Sequence, residues 1–493
     1  MHKVPQEVLW TIQQLHTNGY EAYLVGGSVR DIFLGRNVKD WDITTNAVPD
    51  QIIEVFEKTD RRVVYENNFG TVGIVNKDLD FSSSEYEIEI TPYRTEGKYS
   101  DHRRPDQVEF AETIEEDLSR RDFTINAMAY DPIKDLLIDI YGGRDDLQKG
   151  VIATVGDAQE RFSEDALRIL RALRFSAQLG FSLTEETILG IKKQVQTLSH
   201  VSAERKRDEL LKIFDAPHAK DAFVAMQKFG ILKDLIPELE EGVACHQGGI
   251  HKFDVWTHLL KSLEHATERN YSLQVKIAAL FHDIGKPRTR RKANGRGTKE
   301  WTFYGHEVVG AKISRDIMQR LKFPKTISDP VEKLVRYHMF FSDPDSITLS
   351  AVRRMVANVG VELIWELMNL RICDRIGTGR PTEKPYRLRK YHAMIEEVLR
   401  DPISVSMLKI NGDIMIKELN MKPGKRMGWI LHALLEDVLD DPTKNNREYL
   451  EKKIGELEML SDIELQQKGE AGKEKKDDEE HREIKKLHKK HNV

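Results

Sequence analysis

Asp40 and Asp42 stand at i and i+2 in LVGGSVRDIFLGRNVKDWDITTN. Two carboxylates so spaced on a strand project to one face, where they can share divalent cations. The pair Gly26-Gly27 lies upstream, where a backbone must approach a phosphate closely, and Arg30 offers a counter-charge. Farther on, RRDFTINAMAYDP sets Arg121 beside Asp122. The guanidinium can clamp a triphosphate or approach a base, and the carboxylate can accept a hydrogen bond from a ribose hydroxyl. In ERFSEDALRILRALRF the i,i+3 spacing of Asp165 and Arg168 predicts one helical face, with Arg171 a further step along. Their donors and acceptors complement a nucleobase edge. Asp-x-Asp alone is a weak signal, but the ordered set reads as phosphoryl-transfer machinery.

The stretch around Asp40 and Asp42 resembles the nucleotidyltransferase signature of the polymerase-beta-like superfamily, in the form found in CCA-adding enzymes and bacterial poly(A) polymerases. RRDFTINAMAYDP resembles the second motif of the same enzymes, and Glu164-Asp165-x-x-Arg168 resembles the element that serves them as a protein template for cytosine and adenine. The resemblance implies that Asp40, Asp42 and Glu89, the last in YEIEITPYR, are catalytic, with Mg2+ held by Asp40 and Asp42. Glu87 shares the expected face of Glu89, so an exposed edge-strand carboxylate is the other reading of Glu89. Gly26, Gly27, Arg30, Arg121, Asp122, Asn126, Glu164, Asp165, Arg168 and Arg171 are the implied nucleotide-binding residues. SHVSAERKRDELLKI resembles the next motif, which supports the template helix. Glu204 and Arg205 sit at its start, and Glu209 is expected only to cap or pair locally.

A second candidate site begins with the adjacent pair His282-Asp283 in AALFHDIGKPRT, which binds a metal if distant helices add ligands. His258 and Asp374 are those ligands, in an HD-type constellation. Residues 243–380 resemble the HD phosphohydrolase superfamily, which implies that His306 and His338 complete a second-metal arrangement for a divalent metal of unspecified identity. A metal there would activate water against a phosphoester, a cyclic phosphate at an RNA end or a small cyclic nucleotide being the candidates.

The elements that must position these groups change character along the chain. An amphipathic helix, the strand EAYLVGG, a helix from near Ser28, the strand with Asp40 and Asp42, and strands at 70–75 and 86–94 predict a small mixed sheet with helices through about residue 150. From AQERFSEDALRILRALRFSAQLGF onward the apolar spacing is helical. The expected fold class is therefore α+β: a polymerase-beta-like head and a mainly helical body with an HD-type helical domain. The expected boundaries are 1–150 for the head, 151–240 for a nucleotide-recognition neck, 241–380 for the HD domain, 381–465 for an RNA-binding domain and 466–493 for a charged, disordered tail. Gly142-Gly143, Gly156 and Gly180 mark turns, and Pro217, Pro237, Pro324 and Pro330 mark breaks between helices.

At 493 residues the chain exceeds one growing core and should form roughly three or four domains. Lys and Arg total 76 against 81 Asp and Glu, so global charge announces no nucleic-acid partner, although local patches remain open. Two cysteines suit a reducing cytoplasm rather than a disulfide framework. The sequence shows neither a signal peptide nor an apolar run long enough to span a membrane.

The family resemblance spans residues 20–235, and the PGKRMGWIL run resembles the segment that follows the HD region. It implies template-independent addition of CMP, CMP and AMP from CTP and ATP to the 3′ end of tRNA, with the acceptor stem gripped through backbone shape and phosphate charge. Lys390, Lys425 and Arg426 are candidate phosphate contacts. No stable protein partner or membrane is implied. A poly(A) polymerase, a partial CC- or A-adding enzyme, and an HD phosphohydrolase or RNA-binding protein with an accessory head are the alternatives. The segment ITPYRTEGKYSDHRRPDQVEF is the candidate loop for switching to ATP.

Overall fold

The computed structural model describes residues 4–38, 40–65, 70–76, 88–96, 108–248, 251–292, 300–339 and 347–469. The chain divides into two compact units, residues 1–235 and 236–493.

The first unit opens with α1 (Gln6–Thr17), β1 (Ala22–Val25), α2 (Gly27–Phe33), β2 (Trp41–Thr45), α3 (Pro49–Glu57), β3 (Arg61–Tyr65), β4 (Val72–Asn76) and β5 (Ile88–Pro92). It continues through β6 (Arg94–Glu96), β7 (Val108–Phe110), α4 (Ile114–Ser119), β8 (Ala129–Asp131) and β9 (Leu136–Ile138). Seven strands form one sheet in the order β3-β4-β5-β2-β1-β8-β9. β2 and β5 run parallel and their neighbours antiparallel, the mixed sheet expected. Helix α1 buries Val8, Thr11, Ile12 and Leu15 at helical spacing. In β5 the alternation buries Ile88, Ile90 and Pro92 and turns Glu89 outward. β6 and β7 pair as the two ends of the candidate ATP-switch loop. Residues 97–107 of that loop, and Glu87, lie outside the described residues.

Helices then dominate: α5 (Gly143–Lys149), α6 (Ala158–Glu164), α7 (Leu167–Leu179), α8 (Glu185–Gln194), α9 (Ala203–Phe214), α10 (Ala219–Lys228) and α11 (Ile231–Leu235). Asp165 and Arg168 do not share a helix. Asp165 is extended (φ −135°, ψ 102°) at a break between α6 and α7, where its Oδ1 accepts the Leu167 N–H at 3.1 Å. A short carboxylate that satisfies an orphan amide at a helix start favours such a break. Asp40 likewise precedes β2 rather than lying within it.

The second unit contains α12 (Pro237–Glu240), α13 (Val255–Glu268), α14 (Leu273–Phe281), α15 (Lys286–Thr289), α16 (His306–Arg320), α17 (Lys325–Tyr337), α18 (Leu349–Val359) and α19 (Ile364–Gly377). It ends with α20 (Tyr386–Val398), α21 (Gly412–Lys417), α22 (Lys425–Asp440) and α23 (Arg447–Glu458). Pro330 does not break a helix but lies inside α17. Burial of Val331, Leu334 and Val335 carries that helix past the missing amide donor. Residues 462–469 are also helical, so order extends past the expected tail boundary, and Leu465 joins the core of α21–α23. Residues 470–493 lie outside the described residues.

Glu209 pairs across the fold rather than locally. Its Oε2 lies 2.9 Å from Arg174 Nε on α7, off the N–H direction, so the contact is an ion pair rather than a hydrogen bond. Burial pulls the Arg174 guanidinium down, against the upward pull of Glu209, to about 10. Removing one partner strands the other charge in the interior, so Glu209→Ala should lower the unfolding free energy by about 3 kcal/mol. Urea titration followed by circular dichroism measures this, and a change under about 0.5 kcal/mol would contradict the pairing.

Candidate active sites

The head site forms where the β1–α2 corner meets β2 and β5. Asp42 is register partner to Glu89 across the parallel pair, so the two side chains leave the sheet on one face. Gly26 has φ +68°, and a Cβ there would stand 3.2 Å from Arg121 Nη1 and 3.8 Å from Asp42 Oδ2. Only glycine fits this corner. Burial raises the Asp42 carboxyl and Asp40 adds to the rise, against the opposing pull of Arg121. An all-oxygen pair of carboxylates with unrelieved repulsion suits a hard divalent cation. Among the described residues, Asp40, Asp42 and Glu89 are not closed to within 4.8 Å of one another, as the clusters of the second unit are.

Around this corner, arginines and carboxylates lock together. Asp117, fully buried on α4, accepts from Arg120 Nη2 at 2.6 Å and Arg121 Nη2 at 2.9 Å. Arg121 Nε is buried without a hydrogen-bond partner among the described residues. Asp122 Oδ2 accepts from Arg171 Nε at 2.7 Å, while its Oδ1 accepts from Phe123 N at 2.9 Å and Asn126 Nδ2 at 3.2 Å. Arg30 donates to Asn126 Oδ1 at 3.0 Å and to both oxygens of Asp31. Arg30 thus ties α2 to the Asp122 turn, and Arg171 turns to Asp122 rather than to the Asp165 side chain.

Arg168 donates to Glu164 Oε2 at 2.7 Å and to the Arg120 carbonyl at 3.0 Å. Asp165 receives both Nη groups of Arg205, at 3.2 and 2.7 Å. Sequence reasoning missed Asp117, although a carboxylate three and four residues before two arginines on a helix is a readable signal. The direct grip of Arg205 on Asp165 spans forty residues and carries no local signal.

In the second unit, His258 from α13, His282 and Asp283 after α14, and Asp374 from α19 present ligand atoms within 4.8 Å of one another; Asp283, His306 and His338 do the same. Asp283 belongs to both groups. Its Oδ2 lies 3.1 Å from His258 Nε2, and its Oδ1 lies 3.1 Å from His306 Nε2 and 3.5 Å from His338 Nε2. The Nδ1 atoms of His282, His306 and His338 face the carbonyls of Ala279, Phe303 and Val335 at 3.0, 2.7 and 2.7 Å. That arrangement lets Nδ1–H donate outward and turns the Nε2 lone pairs inward, the tautomer a metal requires. Without a cation, burial would lower His282, but Asp283 and Asp374 push it up to about 9, so a proton stands where a metal would compete for it.

Two glycines allow this convergence. A Cβ on Gly285 would meet the His306 carbonyl at 2.3 Å, and one on Gly377 would meet Ser262 Oγ at 2.2 Å and the His258 carbonyl at 2.9 Å. The mixed imidazole and carboxylate donors fit a borderline transition metal or zinc better than magnesium. Arg426, a candidate phosphate contact, instead donates to the carbonyls of Glu458 and Leu460 at 2.8 and 2.7 Å and closes the end of α23.

Residues 22–153 match the Poly A polymerase head domain family, 180–242 the probable RNA and SrmB-binding site of polymerase A, and 255–375 the HD domain. The chain is 31% identical to the CCA-adding enzyme of Geobacillus thermodenitrificans (strain NG80-2), over 90% of its own length and 95% of that protein. The chain belongs to the CCA-adding enzyme family. It is also 31% identical to the CCA-adding enzyme of Lactobacillus helveticus (strain DPC 4571), over 91% and 96% of the two chains. The structure of the Bacillus stearothermophilus CCA-adding enzyme in complex with CTP superposes with a TM-score of 0.66 at 27% identity, covering 92% of this chain and 98% of that one. The family assignment and the polymerase-beta-like head with a helical, HD-containing body are thus as expected from the sequence.

Two outcomes follow from the geometry. Burial would raise Asp122, but Arg171, with help from Arg168 and Asn126, holds it below its ordinary 3.8. A lowered carboxylate stabilises the fold above its unfolded value and loses that contribution as pH falls through the folded one. Arg171→Ala should therefore cost about 2–3 kcal/mol near neutral pH, with the deficit shrinking below about pH 4 in urea titrations. A deficit that does not change with pH would contradict the pairing. Gly377→Ala should weaken metal binding at His258 and Asp374 by about tenfold or more, measured as metal content after dialysis.

Proposed function

We propose that this protein adds CMP, CMP and AMP from CTP and ATP to the 3′ end of tRNA without a nucleic-acid template. The observation that carries the proposal is the meeting of Asp42, Arg121 and Gly26 at one corner, beside the carboxylate and arginine pairs of Asp122, Glu164 and Asp165. In this reading the 3′ hydroxyl oxygen bonds to the α-phosphorus as the bond to pyrophosphate breaks. Mg2+ held by Asp40 and Asp42, with Glu89 as the third catalytic acid beside them, would supply the Lewis acidity that activates the hydroxyl and eases pyrophosphate departure.

The chain's own groups do the rest. Gly26 and Gly27 let the backbone come close to the triphosphate, and Arg121, anchored by Asp117, holds a phosphate oxygen with its remaining donors. Asp122, fixed by Arg171 and Asn126, accepts a hydrogen bond from a ribose hydroxyl. Glu164, Asp165 and Arg168 present the edge that the base must match. Arg168 leaves Glu164 for the base when the nucleotide enters, so one charge-assisted hydrogen bond replaces another.

The expected segments, with a head through residue 150, a neck to 240, an HD domain to 380 and an RNA-binding domain to 465, are the proposed division of labour. The HD cluster is assigned to hydrolysis of a phosphoester, with His258, His282, Asp283 and Asp374 holding one divalent metal and Asp283, His306 and His338 a second. Cytoplasmic residence fits the two buried, free thiols of Cys245 and Cys373. No helix among the described residues is long and apolar enough to cross a membrane.

Labelled CTP and ATP, supplied singly and together to tRNA transcripts ending before CCA, after CC and after CCA, test the central reading. Ordered extension that stops at CCA is expected, and Asp42→Ala should reduce it at least about a thousandfold while leaving tRNA affinity within about twofold. Long extension with ATP alone would point to poly(A) synthesis, and unchanged incorporation by Asp42→Ala would overturn the site. Metal analysis of the purified protein tests the second centre: about two transition-metal or zinc ions per chain are expected, one in His306→Ala and none in Asp283→Ala.

A further inference from the structure

A cavity of about 440 Å3 lies between α19 and α20 in the second unit, within the range of small-molecule sites. On α19, Trp365, Met368, Asn369 and Ile372 line it at i, i+3, i+4 and i+7, a single helical face. Asp374 is nine residues beyond Trp365. At about 100° per residue it leaves the helix on the opposite side, toward the histidine cluster. The cavity is therefore separate from the metal centre, although one helix serves both.

The lining combines apolar side chains with an aromatic pair, an amide, two cations and one carboxylate, Glu396. Trp365 and His392 stack with ring centroids 4.4 Å apart and planes tilted by 37°, and His392 Nδ1 is held 3.4 Å from Glu396. That contact fixes an aromatic platform in the wall. Asn369 offers an amide with both a donor and an acceptor. Lys384 and Arg389 bring positive charge, in a segment that also holds Arg380, Arg387 and Lys390. Glu383, the one acid among residues 380–390, is already paired with Arg269. A flat π-face, an amide at its edge and cations nearby match the three parts of a nucleotide: base face, base edge and phosphate.

We propose that this cavity binds one nucleotide unit, with its base against Trp365 and its phosphate at Lys384 and Arg389. The ligand is either an unpaired nucleotide of a bound RNA or a free mononucleotide. Both present the same chemistry to the cavity.

The test uses the full-length protein, with a fluorescently labelled tRNA transcript lacking CCA in one arm and AMP in the other. Affinities are measured for the wild type, Trp365→Ala, Trp365→Phe and the double variant Lys384→Ala/Arg389→Ala. Trp365→Ala and the double variant should each lose about tenfold in affinity for at least one ligand, while Trp365→Phe, which keeps a stacking ring, stays within about twofold. A loss in the RNA arm identifies an unpaired RNA nucleotide, and a loss confined to AMP identifies a free one. Wild-type affinity of Trp365→Ala for both ligands overturns the proposal, as does an equal loss in Trp365→Phe. CTP incorporation by the same preparations keeps this outcome separate from the proposed function: a wild type that fails to incorporate would sink that function yet leave both binding arms readable.

Discussion

Burial of charge is the constraint on which the head depends. A guanidinium or carboxylate inside a protein costs several kcal/mol unless a partner and further hydrogen bonds meet it, and removing one partner leaves the other stranded. Asp117, Asp122, Asp165 and Glu209 are each met by an arginine from another part of the chain or from the next helical turn. Those pairs join α4, the turn at Asp122, α7 and α9 into one arrangement. A rigid donor array of this kind selects by hydrogen-bond pattern, because a base that fails to match leaves buried donors unpaired.

The second unit solves a different problem with close backbone approach. Five helices must bring imidazoles and carboxylates within bonding distance of shared points, and Gly285 and Gly377 remove the Cβ atoms that would hold α16 and α19 away. Outward carbonyls then set the imidazole tautomers. The ligand set contains nitrogen, whereas the head offers only oxygen, so the two centres should hold different metals.

Much of this was legible in the residues. Asp42 and Arg121 meet at the Gly26 corner, and the ordered His, His-Asp, His, His, Asp series converges, whereas Asp40 precedes its strand. Short-range rules failed where tertiary contacts decided the outcome. Asp165 left its expected helix because its carboxylate caps α7 and meets Arg205. Pro330 stayed within α17 because one face of that helix is buried. Glu209 found Arg174 thirty-five residues away, and Arg426 turned from solvent to the carbonyls ending α23. A sequence spacing reports neighbours along one element, whereas these pairings depend on which elements meet.

The central claim is that carboxylate and arginine groups of the protein choose the nucleotide. Initial rates of CTP, ATP, UTP and GTP incorporation by Arg168→Ala, relative to the unaltered protein, test it most directly. The account predicts that the preference for CTP over UTP falls at least about tenfold while incorporation remains detectable, since the acidic centre and the triphosphate clamp stay in place. A uniform slowing that leaves the four-nucleotide ratios unchanged would contradict it.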